Sequence, residues 1–214
     1  MVKTYRDIKN PVTPESFEVP SKRMEGTTKI HVIEMIPRQI INNHIIKDVS
    51  VKNGMIQVDL EQDILKLAVV ERYGKNGNIG IGFVQGFELK KGALAYSMSH
   101  DHHNIVVVGT NDEDMALAVN EVVRLNGGLS VACDGKILNS MELPIGGLMS
   151  EKPAEEVMAQ LDILNEDAKK LGCNMDAPFM SLSFISLPTV PELGLTDKGL
   201  VDVLAHQLIE LEVE

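Results

Sequence analysis

The chain has no tryptophan, and only five phenylalanines and three tyrosines in 214 residues. Recognition by stacking bases on aromatic platforms is therefore unexpected. Basic residues are also in deficit: 20 Lys and Arg stand against 31 Asp and Glu, a formal net charge of −11. Nucleic acid and anionic membrane surfaces both require clustered Lys and Arg, so neither is expected as a partner. Two cysteines, Cys133 and Cys173, are too few and too isolated for a disulfide framework or a zinc ribbon, and read as reduced structural residues. No apolar run approaches the roughly 20 residues of a membrane span. Met1-Val-Lys-Thr-Tyr-Arg-Asp7 lacks a signal peptide's apolar core, so a soluble, cytoplasmic protein is expected. The His-x-Glu and Pro-Cys-x-x-Cys signature of small zinc deaminases does not occur, nor does a Gly-x-Ser-x-Gly elbow.

What is present is aliphatic. Hydrophobic residues make up 44% of the chain, enough for one large domain or two small ones with a core of Ile, Val, Leu, Ala and Met. Residues 1–28, with Pro11, Pro14 and Pro20, predict an extended lead-in, and residues 29–214 a folded domain. Ile30–Ile36 reads as a strand. Val49–Lys52 and Met55–Val58 form a hairpin about Asn53-Gly54. Ile64–Val70 meets Ile79–Val84 across a turn-rich Gly74–Asn78, and Gly92–Tyr96 and Ile105–Gly109 read as buried strands.

Thr110 or Asn111 caps a helix that Gly127-Gly128 stops, and a hairpin about Asp134-Gly135 follows. The longest helix begins after Ser150 and Pro153, with Val157, Leu161, Leu164, Ala168 and Leu171 on one stripe. Phe179–Ile185 alternates like a strand, and Leu208–Val213 offers a last one. The expected class is α+β: a mainly antiparallel or mixed sheet with hairpins and two principal helices packed on it, and no (β/α)8 barrel.

Ser99-His100-Asp101-His102-His103-Asn104 holds half of the six histidines. Such a loop can bind metal, move protons or hold a polar ligand, and it can equally be a solvated turn. On a strand, His100 and His102 would share a face, whereas on a helical turn His100 and His103 would be neighbours. A strand-borne His-x-His opens the metal site of (β/α)8 hydrolases, but only 111 residues follow His103 where such a barrel needs roughly 250. The Gly77–Gly82 cluster lacks the lysine and hydroxyl of a phosphate loop and reads as strand-edge or close-packing glycine. Asp112, Glu113 and Asp114 suit a self-capped helix rather than an anion site. Asp48, Asp59, Glu61 and Asp63 lack calcium-loop spacing and read as solvated turn residues.

The order of several segments resembles the C-terminal region of bacterial and archaeal adenine deaminases. They are Gly82–Ala95, Ser99–Met115, Leu143-Pro-Ile-Gly-Gly-Leu-Met-Ser150, Pro178–Phe184 and Leu195–Val201. Pro11–Phe17 looks like the segment that leaves the catalytic barrel in that family. The resemblance implies hydrolysis of adenine to hypoxanthine and ammonia by an amidohydrolase-type enzyme. Its binuclear Mn or Fe centre is expected on a barrel that this chain lacks, so no metal ligand maps here and the chain alone is expected to be inactive. The implied partners are that barrel, in the same or a separate chain, and adenine, with self-association into a homo-oligomer left open. The resemblance offers His100, Asp101 and His103 as active-site-facing groups and Asn104 as substrate-binding. His102 stands where the family has serine, so no role carries over to it. The alternative is a non-enzymatic accessory or oligomerisation domain.

Overall fold

A computed structural model describes residues 11–213; the part of the lead-in before Pro11 lies outside them. A nine-stranded sheet runs through the molecule. In chain order its strands are β1 (Gly26–Met35), β2 (Asn42–Lys52), β3 (Met55–Ile56), β4 (Ile64–Val70), β5 (Ile79–Gln85), β6 (Ala93–Tyr96), β7 (Ile105–Gly109), β8 (Gly128–Cys133) and β9 (Lys136–Glu142). They lie in the order β3-β2-β1-β5-β4-β7-β6-β8-β9, antiparallel throughout except for a short parallel contact between β1 and β5. Helices α1 (Asp112–Arg124), α2 (Ala154–Lys170) and α3 (Pro178–Ile185) pack on it, with a second sheet of β10 (Leu193–Thr196), β11 (Gly199–Asp202) and β12 (Gln207–Ile209). The architecture is thus α+β with no closed barrel, as the hairpins and helical stripes imply.

The central strands are apolar on both sides because both sheet faces are covered. Every residue of β4, β6, β7 and β8 is buried. Period-two alternation sends Leu65, Leu67 and Val69 to the face covered by α2, α3 and the small sheet. Ala68, Ala93, Ala95 and Ala132 face α1 instead. The small residues let that helix sit close: a Cβ on Gly109 would lie 2.4 Å from Met115 Cγ. Each large aliphatic side chain so buried contributes about 1.5–3 kcal/mol. The lead-in joins this face, since Val12 and Phe17 are buried against α1, and Asn120 bonds both main-chain polar groups of Val12 at 3.2 and 2.7 Å.

Local expectations divide. Asn111 caps α1 by accepting the Asp114 N–H at 2.8 Å, and the Asp114 carboxylate receives the amides of Asp134 and Gly135 in the β8–β9 turn. The self-capped reading therefore holds. Gly80 is a close-packing glycine, because a Cβ there would lie 1.9 Å from the Thr196 carbonyl oxygen.

Three readings need correction. Asp63 is not a solvated turn residue: its half-buried carboxylate takes the Gly86 and Glu88 amides at 2.7 Å, and burial pushes its pKa up. Phe179–Ile185 is not a strand but most of α3. Its buried Phe179, Leu182 and Ile185 recur every three residues, Pro178 suits the first turn, and Ser183 Oγ returns a bond to Met180 O at 2.7 Å. Leu208–Val213 is not one strand. β12 ends at Ile209, and Leu211 O and Val213 N–H then bond β1 at His31 and Lys29.

Candidate functional site

The sheet register gathers four chain segments at one rim. Val70 lies opposite Ile105, Tyr96 opposite Val106 and Leu129, and Gly128 opposite Glu142. The exit of β4, the β6–β7 connection, the entry to β8 and the exit of β9 therefore lie together, and α3 packs on β6 and β7 beside them. The histidine cluster is that β6–β7 connection. It is neither strand nor helix but a turn, closed by the His103 N–H bonding Ser99 O at 2.6 Å.

Each residue of the turn has a different environment. His100 is half-buried, with its amide bonded to Ser183 O at 3.0 Å and its ring 4.6 Å from that of Phe184. Asp101 is exposed. The His102 ring lies against Ser99 and Ser186, and its Nδ1 accepts the Asn104 N–H at 3.2 Å. That bond assigns the ring proton to Nε2, which donates to Ser186 O at 3.1 Å. Burial lowers the His102 pKa, in keeping with a neutral ring. Beneath it the Ser99 and Ser186 hydroxyls, both fully buried, bond each other.

His103 takes a left-handed backbone conformation (φ 53°) and is half-buried. Its carbonyl oxygen accepts from Arg72 Nε and from the Tyr73 hydroxyl at 3.3 Å. Burial first, then the Arg72 cation and then His100 hold its pKa below the usual histidine value. His103 is thus a neutral imidazole near pH 7, able to donate or accept a proton. Asn104 is buried, and its Oδ1 has no hydrogen-bond partner among the described residues.

The four candidates are therefore adjacent in space but do not converge on one point. Among the described residues no three His, Cys, Asp or Glu side chains are grouped to hold a metal ion. The turn's own geometry, one ring on Phe184 and another directed at Ser186, does not suit a binuclear centre. Phe184 links the turn to an apolar groove of about 680 Å3, which Met35, Ile40, Met175 and Met180 also line.

Sequence reasoning missed the support beneath the turn: Arg72, Ser186 and the Gly146–Gly147 loop. One available signal was the pair Glu71-Arg72 directly after the apolar run Leu67-Ala-Val-Val70. Elsewhere, Cys133 and Cys173 are free and buried, and burial pushes the Cys173 thiol up to about 11. Neither is poised as a nucleophile.

Comparison with known proteins now decides the family. The model of the adenine deaminase C-terminal domain matches residues 39–207. The chain belongs to that family. It is 58% identical to an adenine deaminase of Desulforamulus reducens over 95% of this chain and 34% of the relative. An adenine deaminase of Dehalococcoides mccartyi is 50% identical over 86% of this chain and 32% of its own length. One from Moorella thermoacetica is 42% identical over 95% and 34%. The chain spans about a third of the length of these curated relatives. No helix among the described residues is long and apolar enough to cross a membrane.

Proposed function

We propose that this chain serves as the C-terminal part of an adenine deaminase, whose complete form hydrolyses adenine to hypoxanthine and ammonia in the cytoplasm. The observation that carries this reading is the 58% identity to a protein named adenine deaminase, confined to about a third of that protein. The remaining two thirds would supply the catalytic portion, including the binuclear Mn or Fe centre that the family resemblance implies. Adenine plus water gives hypoxanthine plus ammonia, and the centre, when bound, would activate the water.

This chain's own residues would act from the rim. His103 and His100 present imidazoles, and Asp101 an exposed carboxylate, on a turn braced from below. Their part is to orient the purine or a catalytic group and to hold a proton at a ring nitrogen or carboxylate oxygen. Asn104 lies beneath them, so direct contact with substrate would require its Oδ1 to be uncovered.

The test is reconstitution. The 214-residue chain is mixed with the N-terminal two thirds of a relative such as the Desulforamulus reducens protein, and ammonia release from adenine is measured with Mn2+. Neither part alone should release ammonia, while the mixture should. Equal activity of the N-terminal part with and without this chain would favour a non-enzymatic accessory domain instead.

A further inference from the structure

Arg72 is 1% exposed, yet no carboxylate among the described residues pairs with it. Its neighbour Glu71 is otherwise occupied, since that carboxylate gathers the amides of Tyr73, Lys75, Asn76 and Gly77 at 2.6–3.3 Å and shapes the turn after β4. A buried cation without a counter-charge is costly, and an apolar side chain of similar volume would fill the space more cheaply. The guanidinium spends its donors on two separate loops. Nε bonds the His103 carbonyl, and Nη2 bonds Gly146 O at 2.9 Å and the Tyr73 hydroxyl at 3.0 Å. Nη1 is buried with no partner among the described residues. A second tie runs in parallel, as Ser97 Oγ donates to Gly147 O at 2.6 Å while accepting the Gly128 N–H at 2.8 Å. Beside these ties Ile145, Met149 and Tyr73 are partly exposed.

We propose that Arg72 is a positioning residue that locks the histidine turn to the Gly146–Gly147 loop, so that both are presented as one rigid face to the catalytic portion. A planar fork with fixed donor directions can do this; a flexible ammonium cannot. The same cation stands beside the His103 ring and disfavours its protonation. Among the described residues, the titratable groups facing that ring are Arg72 and Tyr73 from the exit of β4, and His100, Asp101 and His102 from its own turn.

The proposal rests on the functional reading above, but it can be tested without it. Histidine ring titrations and amide hydrogen exchange are measured by NMR on the 214-residue chain carrying Arg72, Arg72→Lys or Arg72→Met. Arg72→Met should raise the His103 midpoint and speed exchange by about tenfold or more at both His103 and Gly146–Gly147. Arg72→Lys should keep the low midpoint, because the charge remains, yet still loosen both loops. Should the methionine variant fail to fold, the lysine variant decides alone. Unchanged exchange at either loop in Arg72→Lys overturns the lock. In the reconstituted enzyme Arg72→Lys should lower kcat with little change in KM. If the loops loosen but His103→Ala leaves turnover unchanged, the lock stands and the functional reading falls.

Discussion

Two histidine clusters in this molecule are built in opposite ways. His31 and His44 face each other diagonally across β1 and β2, with Nδ1 and Nε2 2.6 Å apart. The two rings bond each other, and their outside partners meet only main-chain amides: Glu192 takes the His44 amide at 2.8 Å and Leu211 O the His31 amide at 3.0 Å. The turn at His100–Asn104 instead draws on Arg72 from the exit of β4, Ser183 and Ser186 from the end of α3, and through Arg72 the loop after β9. Two rings that bond each other need little beyond the sheet that carries them. A turn that consumes buried polar groups from three other segments is being held in place, and buried polar networks are costly enough that such holding marks a position that matters.

The comparison can be broken most sharply at His102. Replacing it with Ala strands the Ser186 carbonyl and the Asn104 amide and leaves a cavity. Denaturant unfolding should then show a loss of about 2 kcal/mol. A loss no larger than that of a surface substitution would mean the turn is not braced from within.

The acid limb of the stability curve compares the clusters by a second route. Burial lowers the pKa of His31, His102 and His103 in the folded chain. An unfolded histidine titrates near 6.5, at about which pH the unfolded chain begins to bind more protons than the folded one. Their contribution is therefore fully present above about pH 6.5 and is lost as pH falls from there through the lowered folded values. Unfolding measured from pH 7.5 to 5 should show this decline, and His102→Gln should flatten it. A curve that rises on acidification over this range would contradict the neutral tautomer assigned to His102.

The smallest effect belongs to the self-contained pair. His44→Gln can still offer a polar partner to His31 and breaks no brace, so its cost should be under about 1 kcal/mol. Should it cost more than His102→Ala, the ranking of the two clusters reverses.

Much of the setting of the turn was legible before the structure. The flanking runs Ala93–Tyr96 and Ile105–Gly109 are continuous apolar strands of a doubly covered sheet, and the hairpins announce themselves through Asn53-Gly54 and Asp134-Gly135. What lies under the turn was not legible, for two physical reasons. An eight-residue apolar segment such as α3 satisfies both strand and helix patterns, so its sequence alone suggests a strand where the structure has the helix that, with its C-cap, supplies Ser183 and Ser186. A charged residue just past a strand normally marks solvent. At Arg72 it marks the interior, because the fold returns two loops over it, and no local pattern encodes that closure. His102 departs from the family's serine, so the resemblance assigns it no role; in the structure its ring bridges Ser186 and Asn104 beneath the exposed residues.

The central claim is that the braced turn serves chemistry completed by the rest of a larger enzyme. The direct measurement is steady-state adenine turnover by the reconstituted enzyme with His103 or with His103→Ala, alongside thermal unfolding of each chain. The expected result is a fall in kcat/KM of about 100-fold or more, with unfolding little changed, because the ring of His103, unlike that of His102, makes no hydrogen bond with the other described residues. Unchanged turnover and adenine affinity in His103→Ala would contradict it.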